Sequence, residues 1–244
     1  MLGSVVAGLR GADADGWCAH PADDRQTLAI RSQLHTPIGL TAGWLEFNEL
    51  AEQATLLPIV HELGGPVAET GGLAAALARL GQVEAAGVSL RLFRLDELTD
   101  PGGVPGSARL ATVVDLPLLT EWFEAFAIEA HGSLPPGFDA GRDVRHGLRN
   151  YRIWLWTDEA GAPCTMAVGR QPSYGVARVG PVYTPPDRRG RGFGSSATAA
   201  ATRDILDRPA IPVLYADLAN PMSNPIYQRL GYRTVDDRLS VLYR

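Results

Sequence analysis

The stretch RVGPVYTPPDRRGRGFGSSATAAATRDIL, residues 178–206, decides the fold of this chain. It is predicted to contain a strand that ends at Thr184, a Pro-Pro-Asp turn, and a helix that begins at about Gly192. A helix start carries unpaired backbone N–H groups and the positive end of the helix dipole. The junction between strand and helix is therefore predicted to bind an anion.

Residues 189–194 alternate arginine or phenylalanine with glycine, which fits a diphosphate. The glycines let a phosphate approach the backbone with no Cβ in the way. Two arginines add positive charge, and serine hydroxyls at the helix start can donate hydrogen bonds. The predicted diphosphate-binding residues are therefore Arg189, Gly190, Arg191, Gly192, Phe193, Gly194 and Ser195.

Two other phosphate-binding loops fit this stretch poorly. A Walker loop needs a lysine, and the chain contains none. A Rossmann loop needs GxGxxG after a parallel strand, whereas Ser195 stands at the third-glycine position and an antiparallel hairpin is predicted before the loop. Taken by itself, the motif is equally typical of an exposed arginine- and glycine-rich turn.

A second motif supports a more specific interpretation. Residues 189–194 resemble the acetyl-CoA loop of the GNAT superfamily of N-acetyltransferases: arginine or glutamine, two residues, glycine, one residue, then glycine or alanine. Downstream, DLANPMSNPIYQRLGYR resembles the other half of that site, with Asn220, Tyr227, Gly231 and Tyr232 at the family's positions. The resemblance covers roughly residues 109–244.

The resemblance implies a mixed α/β (α+β) fold, with a mostly antiparallel sheet flanked by helices. Two neighbouring parallel strands, RVGPVYT and VLYADLA, are expected to splay apart and hold the pantetheine arm of the co-substrate acetyl-CoA. The backbone would pair with that arm as an added strand. The cofactor-binding residues implied beyond the glycine loop are Val182, Tyr183, Thr184, Asn220 and Asn224.

The same resemblance implies direct attack of an amine on the thioester in a ternary complex. Tyr227 occupies the position of the general acid, and a phenol near pKa 10 can protonate a thiolate whose thiol titrates near 8.5. Because Pro225 cannot lie inside a helix begun at Asn220, the helix is predicted to begin at Ser223 or Asn224 and to leave Asn220 free to reach the cofactor.

The sequence does not decide which residue is the general base. Glu129 lies seven residues after Trp122 on a predicted helix, hence on the same face, and is the first candidate. A solvated glutamate has the same pattern. Asp217 and Tyr183 are alternatives, and proton loss to water needs no residue at all.

The strongest break in the chain is LTDPGGVPGSA, residues 98–108, which is predicted to be a linker. It divides the chain into residues 1–100, a linker at 101–107, and a catalytic domain at 108–244. The first part is expected to be a smaller, degenerate GNAT-like domain. Its LGGPVAETGGLAAALARLG takes the place of the loop and helix, without an arginine in the loop, so no cofactor is expected there.

Several secondary-structure predictions can be tested directly. Asp115 is expected to cap a helix over LPLLTEWFEAFAIEA, and another helix is expected over DAGRDVRHGLRN. YRIWLWT and PCTMAVGR are expected to form a hairpin. WLEFNELAEQATLL is predicted to be helical, and YRTVD with RLSVLYR is predicted to be a second hairpin that closes the chain.

The composition argues against several classes of protein. The net charge of −5 argues against a general nucleic-acid surface, and two distant cysteines with five scattered histidines predict neither a disulfide framework nor a metal site. The N-terminus lacks a signal-peptide pattern and no window is long and apolar enough to span a membrane, so a cytoplasmic protein is expected. The oligomeric state, including a homodimer, is left open.

The acceptor is predicted only as an amine of a small molecule or peptide. Two other functions remain open from the sequence: a non-catalytic CoA-binding sensor or partner-binding subunit, and a nucleotide-binding protein that uses the same glycine loop.

Overall fold

The computed structural model describes residues 17–19, 29–31, 38–40, 62–82, 84–134, 137–173 and 175–243. The strands in this part of the chain are β1 (Trp17–Ala19), β2 (Ala29–Arg31), β3 (Ile38–Leu40), β4 (Glu62–Pro66), β5 (Glu84–Leu95), β6 (Ser107–Leu110), β7 (Arg152–Thr157), β8 (Pro163–Gly169), β9 (Val176–Tyr183), β10 (Ile211–Asp217) and β11 (Tyr232–Tyr243). The helices are α1 (Val67–Arg79), α2 (Leu116–His131), α3 (Ala140–Asn150), α4 (Phe193–Leu206) and α5 (Ser223–Arg229). The predicted helix over WLEFNELAEQATLL lies outside the described residues.

By its contacts the chain falls into two compact units. The first unit is Met1–Arg91 with Asp217–Ala219 and Asp236–Arg244, and the second unit is Leu92–Ala216 with Asn220–Val235. Strands β5 and β11 have residues in both. The division predicted at residues 101–107 stays a prediction, because compactness of contacts does not by itself define a domain.

The first unit has the strand order β1–β2–β3–β4–β11. Within it, β4 pairs antiparallel with β11, with Gly64 opposite Ser240 and Gly65 opposite Leu239. The two glycines expected in a loop therefore lie in a strand, and α1 begins directly after Pro66. At this place β4 leads directly into α1, and the backbone of both glycines is used for strand pairing. A degenerate GNAT-like fold of residues 1–100 stays a prediction.

In the second unit the strand order is β11–β5–β10–β9–β8–β7–β6, with antiparallel pairing from β6 to β9 and a parallel β9–β10 pair. Alternate residues of β7 point to opposite faces, as the strand period of two requires. Leu155 joins a core with Leu119 of α2 and Val144 of α3. Trp156 packs with the core that includes Ala197 of α4. The sheet thus lies between α2 and α3 on one face and α4 on the other.

Helix α4, which is rich in alanine, lies close to the sheet. Ala197 and Ala201 are fully buried, and a Cβ at Gly169 of β8 would lie only 3.6 Å from the Ala201 carbonyl oxygen. Small residues on both elements permit this approach. The helix that carries the glycine loop is therefore held firmly against the central strands.

Two local predictions are wrong. The chain ends in one strand, β11, and not in a hairpin. Asp237 at the predicted turn instead accepts hydrogen bonds from Arg91 of β5, at 2.7 and 2.9 Å. Asp115 precedes α2 without capping it; its carboxylate accepts from Thr112 N at 2.8 Å and from Arg109 at 2.7 and 2.9 Å.

Candidate acetyl-donor site

Strands β9 and β10 stay paired only over their first halves. The parallel register runs from Ile211 opposite Val176 to Leu214 opposite Val179. Beyond that point, Val182 and Tyr183 pair on their other side with Ala167 and Met166 of β8, and no register with β10 continues among the described residues. The C-terminal end of β9 is therefore open on the side that faces β10, which is where an extended ligand can add as a strand.

The glycine loop lies directly after this open strand end. A 3-10 turn at Pro186–Arg188 follows β9, and Gly192, with φ of +81°, is the N-cap of α4. In the described part of the chain, the N–H groups of residues 190–195 meet no acceptor; Ser196, which donates to the Gly192 carbonyl at 3.1 Å, is the first that does. These six consecutive N–H groups lie at the positive end of a 14-residue helix, which is the arrangement that the predicted anion site requires.

The residues of the glycine loop differ in their exposure to solvent. Gly190, Arg191 and Gly192 are exposed, and Phe193 is buried. The phenylalanine ring therefore lies in the interior, while residues 190–192 face solvent. Arg191 has no ion pair among the described residues, so its charge is available to an anion.

Arg189 points back across the end of β9. Its Nε donates to the Thr184 carbonyl at 2.9 Å, and its guanidinium lies 5.8 Å from the centre of the Tyr183 ring. Its Nη2 donates to both carboxylate oxygens of Glu129, at 2.7 and 2.8 Å. These contacts bring Glu129, Tyr183, Thr184 and Arg189 together, which no local sequence pattern indicated.

Tyr183 is the buried member of this group of four residues. Its ring lies 6.2 Å from that of Trp122, tilted by 53°. Burial first, then the charge of Glu129, raises the pKa of Tyr183, while Arg189 opposes that shift. A phenol held protonated in this way is poorly suited to accept a proton, which weighs against Tyr183 as the general base.

Tyr227 lies on α5 between two aromatic rings. Its ring centre is 6.1 Å from that of Phe93 on β5 and 6.3 Å from that of Tyr232 on β11. Burial raises the pKa of Tyr227 to about 12. Its hydroxyl makes no hydrogen bond with any described residue, whereas the Tyr232 hydroxyl is paired with Thr202 at 2.6 Å. The arrangement fixes the ring of Tyr227 and leaves its O–H for a ligand.

Asn220, which precedes α5, and Asn224, its second residue, both form hydrogen bonds with the backbone of this segment. The helix begins at Ser223, as predicted, but Asn220 is not free: its Oδ1 accepts from Met222 N at 3.0 Å and Ser223 N at 3.2 Å. Asn224 Nδ2 donates to the Asn220 carbonyl at 3.2 Å. A side-chain oxygen that satisfies the first N–H groups of a helix is the ordinary capping role of asparagine. Contact of either residue with a cofactor stays a prediction.

Asp217, the remaining candidate base, belongs to the first unit. Its Oδ1 accepts from Ala219 N at 2.8 Å. Among the described residues no group of three or more histidines, cysteines, aspartates or glutamates could hold a metal ion. No helix in the same part of the chain has the length and apolar character needed to cross a membrane.

Sequence reasoning missed one neighbour of the glycine loop. A Cβ on Gly192 would lie 2.7 Å from Cγ2 of Val104, so the segment predicted to be a linker packs against the loop. Trp156 Nε1 donates to the Pro105 carbonyl at 3.0 Å and fixes this segment further. Proline and glycine signals indicate irregular backbone, but they do not show where that backbone packs.

The comparison with protein families finds a match in the part of the chain that contains the glycine loop and α5. The family model described as FR47-like protein matches residues 160–241, about a third of the chain. No curated protein matches.

Solved structures resemble the chain over nearly its whole length. A GCN5-related N-acetyltransferase from Kribbella flavida has 18% identity and a TM-score of 0.59, with 98% of this chain and 88% of that chain covered. An acetyltransferase of the GNAT family from Colwellia psychrerythraea has 13% identity and a TM-score of 0.55, with 97% and 84% covered. A protein of unknown function from Staphylococcus epidermidis has 14% identity and a TM-score of 0.59, with 91% and 92% covered. The chain therefore has the GNAT fold.

Proposed function

We propose that the second unit transfers an acetyl group from acetyl-CoA to an amine of a small molecule or peptide. The observation that carries this proposal is the combination of six free N–H groups at residues 190–195 with the open end of β9. The first binds a diphosphate and the second binds an amide-containing arm. Coenzyme A contains both, joined in that order.

In the proposed complex, the diphosphate lies on the glycine loop with Arg191 beside it. The pantetheine arm follows residues 182–184 as an added strand, and a backbone N–H at the strand end polarises the thioester carbonyl. The lone pair of the amine attacks the carbonyl carbon, a C–N bond forms, and the C–S bond breaks. The electron pair leaves on sulfur as a thiolate.

In this proposal Tyr227, at the position that the resemblance assigns to the general acid, donates a hydrogen bond to that thiolate. With a pKa of about 12, its O–H stays intact at neutral pH and can donate a hydrogen bond to the developing negative charge. Complete proton transfer to a thiolate whose thiol titrates near 8.5 is uphill from this phenol. The contribution of Tyr227 is therefore stabilisation of the leaving sulfur by a hydrogen bond, and the departing thiolate takes its proton from water.

Glu129 fits an anchoring role better than the role of a base. Both of its carboxylate oxygens are taken up by Arg189. The excess proton of the attacking amine then leaves through water, which requires no further residue. A role for Glu129 as base stays a prediction, and it would need Arg189 to leave the carboxylate.

A non-catalytic CoA-binding function is the second candidate. Two observations favour it: Tyr227 is a very weak acid, and the carboxylate nearest the glycine loop is paired. Binding of acetyl-CoA without release of thiol, over a broad panel of amines, would support this candidate over the transferase.

The test combines calorimetry with acetyl-CoA and a thiol-release assay on that panel. Arg191→Glu should lower the affinity for acetyl-CoA strongly, because it reverses an exposed, unpaired charge at the diphosphate. Arg149→Glu, a charge reversal at an exposed arginine of α3, is the matched control and should leave the affinity unchanged. A glycine variant is less informative, since a side chain at Gly192 meets Val104 with or without ligand. Equal affinities for both variants would move the diphosphate elsewhere.

A further inference from the structure

Two arginines lie opposite each other where β8 ends and β9 begins. The Arg170 backbone N–H donates to the Arg178 carbonyl at 2.9 Å, directly beyond the pair formed by Gly169 and Val179. Residues that face each other across a pair of strands point to the same face of the sheet. Val179 belongs to the core that packs with α4. Both arginines therefore point to the other face of the sheet, the one that carries α2 and α3.

Each guanidinium of this pair lies on a tyrosine ring. Arg170 Cζ is 5.1 Å from the centre of the Tyr151 ring, directly after α3, and Arg178 Cζ is 5.0 Å from the centre of the Tyr215 ring on β10. A cation over an aromatic face is attracted to it, and a planar guanidinium stacked there loses little further freedom when it binds a ligand. The rings therefore hold both positive groups in place on this face.

Arg170 carries a donor that no group in the described part of the chain accepts. Its Nε–H is buried and has no hydrogen-bond acceptor there, and its guanidinium forms no ion pair with a described residue. Buried donors in proteins nearly always have a partner, so an orphaned one requires an explanation. Two like charges opposite each other on neighbouring strands also disfavour the pairing of those strands. An anionic ligand accounts for both features.

The arginine pair lies beside the point where β9 and β10 part. The parallel register of these strands ends at Val179, and a Cβ on Gly180, the next residue, would lie 3.7 Å from Arg178 Nε. In the proposed complex the pantetheine arm runs along residues 182–184, so its thioester end approaches Gly180. Residues two apart in a strand are separated by about 7 Å, which a short amino acid can span. An anion at the arginines is thus within reach of a small molecule whose amine faces the thioester.

We infer that Arg170 and Arg178 bind a carboxylate of the acceptor, which is therefore a small molecule with both an amine and an acid group. A carboxylate is planar and accepts two parallel N–H bonds from one guanidinium, here the buried Nε–H of Arg170 and a neighbouring Nη–H. Arg178, which is exposed, adds a second positive charge. The inference rests on the proposed function for the identity of the reaction, and it narrows the acceptor from any amine to an amino acid.

The test adds acetylated products to the full chain and follows the Arg170 Nε–H signal by NMR, with affinities from calorimetry. The ligands are N-acetylglycine, N-acetyl-β-alanine and N-acetyl-γ-aminobutyrate, each compared with its uncharged primary amide. These acids place the carboxylate progressively further from the nitrogen. At least one acid should shift the signal and bind about tenfold more tightly than its amide, because only the acid offers a charged acceptor.

Substitutions assign this preference to the arginine pair. Arg170→Gln removes the charge and the Nε–H and should abolish the preference for the acid, whereas Arg170→Lys keeps the charge without the planar pair of donors and should retain only a weak preference. Arg178→Gln, at an exposed position where folding is not at stake, should reduce the preference several-fold. Arg203→Gln removes the same charge from exposed α4, on the opposite face of the sheet, and is the control that should leave the preference unchanged.

A thiol-release assay with acetyl-CoA then compares the corresponding amino acids with their amides. The amino acid should have a kcat/KM about tenfold or more above that of its amide, and Arg170→Gln should remove this difference. If acids bind at Arg170 but amino acids and amides are acetylated equally well, the site does not hold the acceptor and the inference is overturned.

The remaining outcomes keep the two proposals apart. If no acid binds more tightly than its amide, or if Arg170→Gln and Arg178→Gln keep the preference, this inference is overturned, while the transferase proposal still stands on acetyl-CoA binding and thiol release. If acids bind through the arginine pair but the chain neither binds acetyl-CoA nor releases thiol from it, the carboxylate site is supported and the transferase proposal fails. If none of these ligands binds the wild type, both proposals fail.

Discussion

Arg189 and Glu129 form an ion pair that joins the glycine loop to the last turn of α2, with Nη2 at 2.7 Å from Oε1 and 2.8 Å from Oε2. Both side chains are nearly half exposed, at 46% and 47%. An exposed pair of this kind contributes about 0.2–1 kcal/mol to stability. Its significance lies in where it holds the arginine, over the end of β9, and less in how strongly it holds the fold.

Glu129→Gln should release Arg189 and leave turnover intact. The freed guanidinium can turn towards the diphosphate, so the KM for acetyl-CoA should fall by up to about fivefold, with a smaller effect at high salt. Steady-state kinetics checks both quantities, with Glu124→Gln on the exposed side of the same helix as control. A fall in kcat of about 10²-fold or more would instead identify Glu129 as the general base.

Because it removes the hydrogen bond to the leaving sulfur, Tyr227→Phe should lower kcat by about 10²- to 10³-fold while the affinity for acetyl-CoA stays near that of the wild type. The ring and its contacts with Phe93 and Tyr232 are kept, and only the hydroxyl is lost. Tyr151→Phe removes an exposed hydroxyl that contacts His146 and is the control. Loss of binding in step with activity would give Tyr227 a positional role.

The pH profile offers an independent check on Tyr227. Because burial raises its pKa to about 12, the phenol stays protonated through the range in which activity is measured. We therefore expect no loss of kcat from ionisation of this group up to about pH 10. A fall in kcat centred near pH 9, present in the wild type and absent in Tyr227→Phe, would contradict the environment described for this ring.

Asp115→Asn should destabilise the protein by about 1–2 kcal/mol at pH 7, a value reduced because Arg109 is 40% exposed. The hydrogen bonds from Arg109, the largest cause, hold the pKa of Asp115 below its usual value. A lowered folded-state pKa stabilises above the unfolded pKa of about 3.9, and this contribution is lost as the pH falls through the folded value. Urea denaturation should therefore show the difference from wild type shrinking below about pH 4. Asp187→Asn, at an exposed carboxylate, is the control and should leave the stability at pH 7 near that of the wild type.

The buried Thr202–Tyr232 pair should respond asymmetrically to substitution. Thr202 Oγ1 donates to the Thr198 carbonyl at 2.7 Å, so the Tyr232 hydroxyl is the donor in the 2.6 Å contact between them. Thr202→Val leaves that buried donor without a partner and should cost about 1–3 kcal/mol, whereas Tyr232→Phe should cost about 0.5–1.5. The free energy of unfolding of the double variant should be less reduced than the sum of the two. Additive losses would mean that the hydroxyls are not coupled.

The elements with strong local patterns could be predicted from the sequence. The hairpin of β7 and β8, the alanine-rich α4, and the start of α5 at Ser223 all follow from periodicity, turn residues and the position of Pro225. The glycine loop could be placed for the same reason, since its N–H groups depend only on where a helix begins.

The predictions that failed concern residues whose contacts local sequence does not determine. Asp236 and Asp237 form a turn pattern, but Arg91 lies 146 residues away from Asp237 and holds it in a strand. Asn220 can face a ligand or its own backbone, and local sequence does not decide between them. The contact of Val104 with Gly192 could not be predicted, because a linker pattern describes backbone freedom and not its packing.

The pairing of β4 with β11 places a constraint on biosynthesis. Residues 62–66 find their antiparallel partner only in residues 238–242, far downstream in the sequence. During translation, β4 therefore waits until residues 238–242 have left the ribosome, with its edge unpaired on that side. Such a sequence separation slows folding through the entropy of closing a long loop. Strand β4 is thus among the last elements to complete its pairing, although it is made before every strand of the second unit.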